Sequence, residues 1–265
     1  MKTKTTIIYL FAIAVIATLF TSCAKDGEMG PTGANGATGA MGPTGPLSSG
    51  NLSGYVKKFD QYGNQIFTGL SGVKVNLTGS ATLNATTDST GKYSFDSLAT
   101  GMYQLAYSDT LFGGNAVSNQ QFLGGGNSWV KNINMSAIPS YYVSNLTFTV
   151  LTDTLVVNGT MNAASPNAVN VILYYGLTSA TSSAPSSYIN YYTKALVANA
   201  TTFKINILPQ DIINAGLAVG STIHIAAYGI AVGFANNSSY EDFNTGKTFF
   251  TGLSAQVDTA SVVLP

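Results

Sequence analysis

The chain has 265 residues, of which 45% are hydrophobic and only 8% are charged. All eleven basic residues are Lys, so the composition argues against nucleic acid as a partner, because phosphate recognition normally uses a basic patch rich in Arg. Cys23 is the single cysteine, which excludes an intrachain disulfide. The length allows two medium-sized domains, and these must be stabilised by hydrophobic cores.

Residues 1–22 have the pattern of a signal peptide. Two lysines precede an apolar run, which ends at small residues just before Cys23 and is short for a membrane span. The segment Leu19–Cys23 resembles a bacterial lipobox. This resemblance implies that Cys23 is lipidated and that acyl chains anchor the protein to the outer membrane. The polar, acidic residues that follow resemble surface-export signals, which implies exposure on the cell surface. The alternative is an ordinary secretory leader with an incidental cysteine.

Residues 23–50 are predicted to form the lipidated N terminus and a collagen-like linker. Glycine occupies every third position from Gly27 to Gly45, and Pro31, Pro43 and Pro46 each directly follow one of these glycines, at X positions. A strict glycine period is what a triple helix requires, since only glycine fits at its axis. Two alternatives stay open: an extended spacer within one chain, or a stalk that assembles a homotrimer.

Residues 51–136 are predicted to form a first β-sandwich. Tyr93 and Phe95, and then Tyr103 and Leu105, alternate with polar or exposed positions, which is the period of a half-buried strand. Asp88 to Gly91 reads as a turn, in which Gly91 is suited to a positive φ. Val73, Val75 and Leu77 give a third run of the same period, with Lys74 and Asn76 pointing outward.

These runs carry a family resemblance. Together with Gly54-Tyr-Val56 and the pattern Thr87-Asp88-x-x-Gly91-x-Tyr93-x-Phe95-x-x-Leu98-x-x-Gly101-x-Tyr103-x-Leu105, they resemble the carboxypeptidase regulatory-like domain. The resemblance spans about residues 52–135 and implies a transthyretin-like β-sandwich. Such modules are usually spacers or binding modules without catalytic activity, so the fold says more about architecture than about a ligand.

Residues 137–265 are predicted to form a second β-sandwich. Alternating runs indicate strands at 145–151, 154–162, 168–177, 188–197, 202–208, 222–230, 247–253 and 260–264, and one helical turn is expected from Pro209 to Gly216. The segment Leu217–Ala227 resembles a late strand of a fibronectin type III or immunoglobulin-like domain. The fold class is therefore predicted to be all-β, with two sandwiches in tandem behind a signal peptide and a Gly-X-Y stalk.

The sequence offers no catalytic or metal-binding constellation, and it implies no cofactor. His224 is the single histidine, and no cysteine or paired carboxylate accompanies it. Glu241-Asp242 is the one adjacent acidic pair and lies in a polar segment. We therefore expect a protein that is not an enzyme.

Aromatic residues are the better indication of ligand binding. Tyr174, Tyr188, Tyr191 and Tyr192 lie on neighbouring predicted strands and could stack on a sugar or contact a protein. The alternative is ordinary sandwich packing. Trp129 could also stack on a sugar ring, but its phase with Ile133 and Met135 predicts a core position.

Five Asp-Ser or Asp-Thr sites resemble an O-glycosylation motif of some lipoprotein-rich Gram-negative bacteria. The acceptors would be Ser89, Ser97, Thr110, Thr154 and Thr259. Asx turns explain the same pattern equally well.

Two functions remain open from the sequence. The leading one is a surface-exposed lipoprotein without enzymatic activity that presents two sandwiches for adhesion or envelope structure. The alternative is a carbohydrate-binding lipoprotein of a polysaccharide-uptake system. The expected partners are a membrane, through the lipid, and a glycan or a surface protein.

Overall fold

The structure is a computed structural model that describes residues 48–264, except 131, 153, 215 and 234–238, together with Gly30, Gly33 and Gly36. The predicted leader, the lipidation site Cys23 and most of the Gly-X-Y segment lie outside the described residues. The three described glycines are exposed and belong to no strand or helix, and a Cβ atom added to any of them would meet no atom within 4 Å. Within the described residues, no helix is long and apolar enough to cross a membrane.

The first sandwich is organised around one long central strand. Its strands are β1 (Ser49–Phe59), β2 (Gln65–Ile66), β3 (Lys74–Gly79), β4 (Leu83–Thr86), β5 (Lys92–Ala99), β6 (Gly101–Ser108), β7 (Asn115–Phe122), β8 (Asn127–Trp129) and β9 (Ile133–Ser136). The first half of β1 lies between β5 and β8, and its second half lies between β2 and β9. The second sheet has the order β4-β3-β6-β7. The pairing of β1 with β8 and β9 is parallel, whereas its pairing with β2 and β5 is antiparallel.

The first core confirms the predicted strand phases. Tyr93 and Phe95 are buried between the sheets, as are Tyr103 and Leu105, while the intervening side chains are more exposed. The Tyr93 and Tyr107 hydroxyls, 2.6 Å apart, share a hydrogen bond inside this core. Burial raises the pKa of Tyr93 to about 12. The hydroxyls therefore remain neutral and satisfy each other's polar groups, which a buried polar atom requires.

The second sandwich packs three strands against four. Its elements are β10 (Val143–Val150), β11 (Leu155–Met161), β12 (Val169–Gly176), β13 (Asn190–Leu196), β14 (Thr202–Ile207), α1 (Pro209–Asn214), β15 (Thr222–Ile230), β16 (Ser239–Glu241), β17 (Thr248–Phe250) and β18 (Asp258–Val263). One sheet has the order β10-β11-β14 and the other has the order β13-β12-β15-β18. The short helix α1 ends just before Gly216, whose φ of 97° suits a helix stop.

Two additions distinguish the second sandwich from a bare pair of sheets. The hairpin β16–β17 is inserted between β15 and β18, and a long connection leads from β12 to β13. Both lie over the outer face of the four-stranded sheet. A separate hydrophobic cluster forms there, and it contains Ile172, Tyr174, Tyr188, Ala226, Tyr228, Ile230 and Phe250. Both faces of β12 and β15 are consequently buried.

The two sandwiches are joined by hydrogen bonds around the β1–β2 turn, and residues 46–265 form one compact unit. The Gln61 side-chain oxygen accepts a bond from the Ser140 backbone N–H at 2.8 Å, and the Gln61 backbone carbonyl accepts one from the Val232 N–H at 3.0 Å. The Tyr141 hydroxyl lies 3.3 Å from the Gln61 carbonyl across the junction, and within the second sandwich it lies 2.8 Å from the Ile230 carbonyl. These bonds fix the orientation of the two sandwiches.

Candidate functional site

The outer face of the first sheet carries the candidate site. Ser53 of β1 lies opposite Trp129 of β8 and opposite Ser94 of β5, while Tyr55 lies opposite Lys92. Opposed residues share a face, and so do residues two apart on one strand. These five side chains therefore lie together on the face that points away from the core.

Tyr55 and Trp129 form an exposed aromatic platform. Their rings are parallel within 1°, and the ring centroids are 5.8 Å apart. Trp129 is 58% exposed, and Tyr55 is half-buried. The Lys92 ammonium lies 5.4 Å from the Trp129 ring centroid. Single exposed apolar side chains are common on protein surfaces, but two adjacent rings form a contiguous apolar patch, and such a patch is the more informative observation.

Amide and hydroxyl groups border the platform. The Asn51 side-chain nitrogen donates to the side-chain oxygen of Asn127 at 3.2 Å, and the Asn51 oxygen accepts from the Ser97 N–H at 3.3 Å. Asn51, Asn127 and Ser94 are all exposed. The surface thus combines two aromatic rings with several neutral donors and acceptors, which is the composition of a site for a ligand with both apolar and hydroxyl groups.

The predicted core position of Trp129 is wrong, and the cause is a break in the strand. The prediction assumed one strand in which Trp129, Ile133 and Met135 share a face. In the structure β8 ends at Trp129, and Val130 turns inward and donates its N–H to the Ser53 carbonyl at 2.8 Å. The strand resumes at Ile133, so Val130, Ile133 and Met135 are buried while Trp129 points outward.

Sequence reasoning missed Tyr55 as a platform residue. A signal was present, because Leu52 and Val56 face the core and β1 therefore points Tyr55 to the opposite side. The sequence did not show which aromatic residue would lie beside Tyr55, because the pairing of β1 with β8 joins residues about 75 positions apart.

The structure places the predicted stacking residues Tyr174 and Tyr188 inside the additional cluster of the second sandwich. Tyr174 is 0% exposed and Tyr188 is 3% exposed, because β16–β17 and the β12–β13 connection cover them. The Tyr188 hydroxyl donates to the Thr248 carbonyl at 2.6 Å. Burial, followed by the neighbouring Tyr191 and Asp242, raises the pKa of Tyr188 to about 12. Neither ring face is open to a ligand.

Tyr191 and Tyr192 are half-buried on β13 and are engaged by other rings. Tyr191 contacts Phe250 edge-on with centroids 4.9 Å apart, and Tyr192 stacks on Tyr175 at 5.7 Å. Sequence proximity therefore brings the four predicted tyrosines into one region, but the structure does not join them into an exposed platform.

A cleft of about 440 Å³ lies between the sandwiches. Tyr240 and Phe249 line it on the hairpin side, with ring centroids 5.1 Å apart, and Asn115 and Ser183 contribute polar groups. Other rings on its wall, including Tyr107 and Phe250, are buried. The cleft therefore offers less open aromatic surface than the platform does.

The predicted glycosylation acceptors are accessible at most of the sites. Ser89, Ser97, Thr110 and Thr259 are exposed and Thr154 is half-buried. Asp88 accepts bonds from the Thr90 N–H at 2.8 Å and from the Thr90 hydroxyl at 2.6 Å, as an Asx turn does. These observations do not decide between the two explanations of the motif, which remains a prediction.

Among the described side chains, no group of three or more His, Cys, Asp or Glu residues lies together as metal ligands would. His224 is half-buried on β15, opposite Gly176 and Ser261.

The fold defines an all-β protein of two joined sandwiches, with an aromatic platform on the first. No protein-family model matches the chain, and no curated protein matches it either.

Several solved structures are similar to the chain at low identity. A DUF3823 family protein from Parabacteroides merdae is 15% identical, with a TM-score of 0.28 and coverage of 78% of this chain and 98% of that one. A proposed carbohydrate-binding protein from Bacteroides uniformis is 10% identical, with a TM-score of 0.28 and coverage of 81% and 100%. The major pilin SpaD from Corynebacterium diphtheriae is 12% identical, with a TM-score of 0.27 and coverage of 81% and 65%. At these TM-scores the likeness carries no argument about ligand or function.

Proposed function

We propose that the protein is a surface-exposed, lipid-anchored binding protein without enzymatic activity, and that its first sandwich binds carbohydrate on the Tyr55–Trp129 platform. The observation that carries this proposal is the exposure of the Trp129 indole, parallel to Tyr55, on a sheet face bordered by Asn and Ser side chains. A platform of this kind holds a ligand by contact area and orients it by hydrogen bonds.

A pyranose ring fits this combination of groups. One side of the ring presents axial C–H groups and can lie flat on an aromatic face, while its hydroxyls project sideways. At the platform these hydroxyls would meet the exposed Asn51, Asn127 and Ser94 side chains. Ring stacking then supplies contact area, and the neutral donors and acceptors supply orientation.

The anchor and stalk complete the proposal. Lipidation of Cys23 would hold the chain to the outer membrane, and the Gly-X-Y segment would carry the sandwiches away from it. Among the described residues, no atom lies within 4 Å of a Cβ added at Gly30, Gly33 or Gly36. In a homotrimer, the close approach of the neighbouring chains would require glycine at every third position. An extended spacer within one chain remains the alternative.

Adhesion or envelope structure is the second candidate function. The hydrogen bonds between Gln61, Tyr141 and Val232 favour it, because they join the two sandwiches at their junction, which suits the presentation of a surface at a distance. In that case Trp129 would contact a protein partner. O-glycosylation at the predicted Ser and Thr acceptors would be compatible with either function, and an intact mass without added hexose would exclude it.

Affinity electrophoresis of the full chain in gels that contain polysaccharides tests the proposal. We expect at least one polysaccharide to retard the protein. Trp129→Ala should weaken the affinity about tenfold or more, and Trp129→Phe should weaken it less, because phenylalanine keeps part of the stacking area. Phe243→Ala is the matched control, since Phe243 is 64% exposed but lies on the second sandwich. Retardation that is equal in all variants would show that the platform is not the binding site.

A further inference from the structure

The proposed glycan site is also cationic at one end. Lys92 reaches over the Trp129 ring, and Lys57 lies on the same face of β1 as Tyr55, two residues further along. Among the described residues, the one salt bridge joins Lys58 to Asp109. Lys57 and Lys92 are therefore not paired with any described carboxylate, although both are only half-buried and can reach the platform.

Two carboxylates lie near this face, and neither forms an ion pair with Lys57 or Lys92 among the described residues. Asp88 lies in the turn before β5 and accepts bonds from the Thr90 hydroxyl and the Lys92 backbone N–H, at 2.6 and 3.0 Å. It keeps its negative charge and attracts Lys92, so it offsets part of the positive charge at that end. Asp96 shares the outer face of β5 but lies four residues beyond Lys92, which is about 13 Å along a strand. The Tyr55 end of the face therefore carries a net positive charge, because Lys57 and Lys92 outnumber Asp88 there, and the Asn51 end is negative.

We propose that the ligand is an anionic polysaccharide whose sugar ring stacks on Trp129 and whose acidic group pairs with Lys92. This inference rests on the proposed function and specifies its ligand class. The Lys92 ammonium now lies over the indole, and such contacts are weak at exposed sites. A carboxylate at the edge of the stacked ring can therefore draw the ammonium away from the ring and pair with it beside the platform. Lys57 supplies a second cation for the next acidic unit of the chain.

The test compares polygalacturonate with its fully methyl-esterified form, because the two share a backbone and differ in charge. Binding of the full chain is measured by affinity electrophoresis at about 0.15 M salt, where exposed charges are screened beyond about 8 Å. We expect polygalacturonate to bind at least about tenfold more tightly than the ester. Lys92→Gln should remove most of that difference, and Lys57→Gln should remove part of it. Lys204→Gln, an exposed lysine of the second sandwich, should have no effect.

The outcomes separate the ligand class from the proposed function. Equal, Trp129-dependent binding of the ester and the acid would overturn the anionic class but keep the glycan site. Acid binding that is lost in Lys92→Gln but unchanged in Trp129→Ala would overturn both, since it would be a purely electrostatic contact. Dextran sulfate that binds as tightly as polygalacturonate, with dependence on both residues, would support the anionic class with sulfate as its source. Failure of every acidic and neutral polysaccharide to bind would overturn both.

Discussion

Removal of the Asp109 carboxylate should destabilise the first sandwich strongly. Lys58 is only 4% exposed, and its ammonium contacts Asp109 at 2.9 Å, the Gly69 carbonyl at 2.8 Å and the Phe112 ring at 4.7 Å from the centroid. In Asp109→Ala the ammonium would stay buried without its counter-charge. Breaking a buried ion pair in this way costs about 3–5 kcal/mol.

The structure places the expected cost near the lower end of that range. The Asp109 side chain is 16% exposed, so water can approach the vacated position, and the Gly69 carbonyl still accepts a bond from Lys58. We therefore expect a loss of about 3 kcal/mol in the free energy of unfolding, measured by urea denaturation. The double variant Lys58→Met, Asp109→Ala should recover most of that loss, because the buried charge is gone.

Asp96→Ala is the matched control, since Asp96 is an exposed carboxylate of the same sandwich, and it should change stability by no more than about 0.5 kcal/mol. A loss below about 1 kcal/mol in Asp109→Ala, or a double variant no more stable than the single one, would refute the reasoning.

The same ion pair predicts a pH dependence. Burial alone would raise the pKa of Asp109, but bonds from the Leu111 N–H and the Lys58 ammonium outweigh it and hold the pKa below its ordinary value. The native state therefore binds the proton less readily than the unfolded chain does. The contribution of Asp109 to stability is fully present above the unfolded pKa of about 4 and is lost as the pH falls through the lower native pKa. The acid-side decline in stability should be shallower in Asp109→Ala.

Two further substitutions test the backbone and the junction. Gly91→Ala should cost about 1–3 kcal/mol in urea denaturation, because Gly91 has a φ of 81° and a Cβ there would collide with the Val56 carbonyl; an unchanged midpoint would contradict the assigned turn. Tyr141→Phe removes a buried hydroxyl that bonds to the Ile230 carbonyl within the second sandwich and contacts the Gln61 carbonyl across the junction, so we expect a loss of about 1–3 kcal/mol. Calorimetry should show a single transition for both sandwiches in the unmodified protein, and separate transitions there would show that the junction does not couple their unfolding.

Local patterns predicted most of the fold. The alternation of Tyr93 with Phe95 and of Tyr103 with Leu105 gave the correct inward faces, and Gly91 has the positive φ that its turn required. These properties depend on a few consecutive residues, so the sequence contains them directly. The same alternation indicates that Lys58 is buried, because Lys58 points to the same side of β1 as the core residues of that strand.

The candidate site depended on contacts that local patterns do not contain. Trp129 is exposed because β8 ends there and the phase changes before Ile133. Tyr174 is buried because the inserted hairpin β16–β17, distant in sequence, covers its face of the sheet. The polar residues before the hairpin gave no strand signal for β16. For both Trp129 and Tyr174, tertiary structure rather than local alternation decided whether the ring is exposed.

Tryptophan fluorescence is the most direct test of the central claim, because Trp129 is the one tryptophan of the chain and reports the platform alone. Acrylamide quenching of the full chain should be efficient without ligand, as expected for a side chain that is 58% exposed. We predict that a polysaccharide that retards the protein in affinity gels will reduce this quenching saturably, with the same midpoint as binding. Saturable binding that leaves the quenching of Trp129 unchanged would show that the ligand lies elsewhere and would contradict the proposed platform.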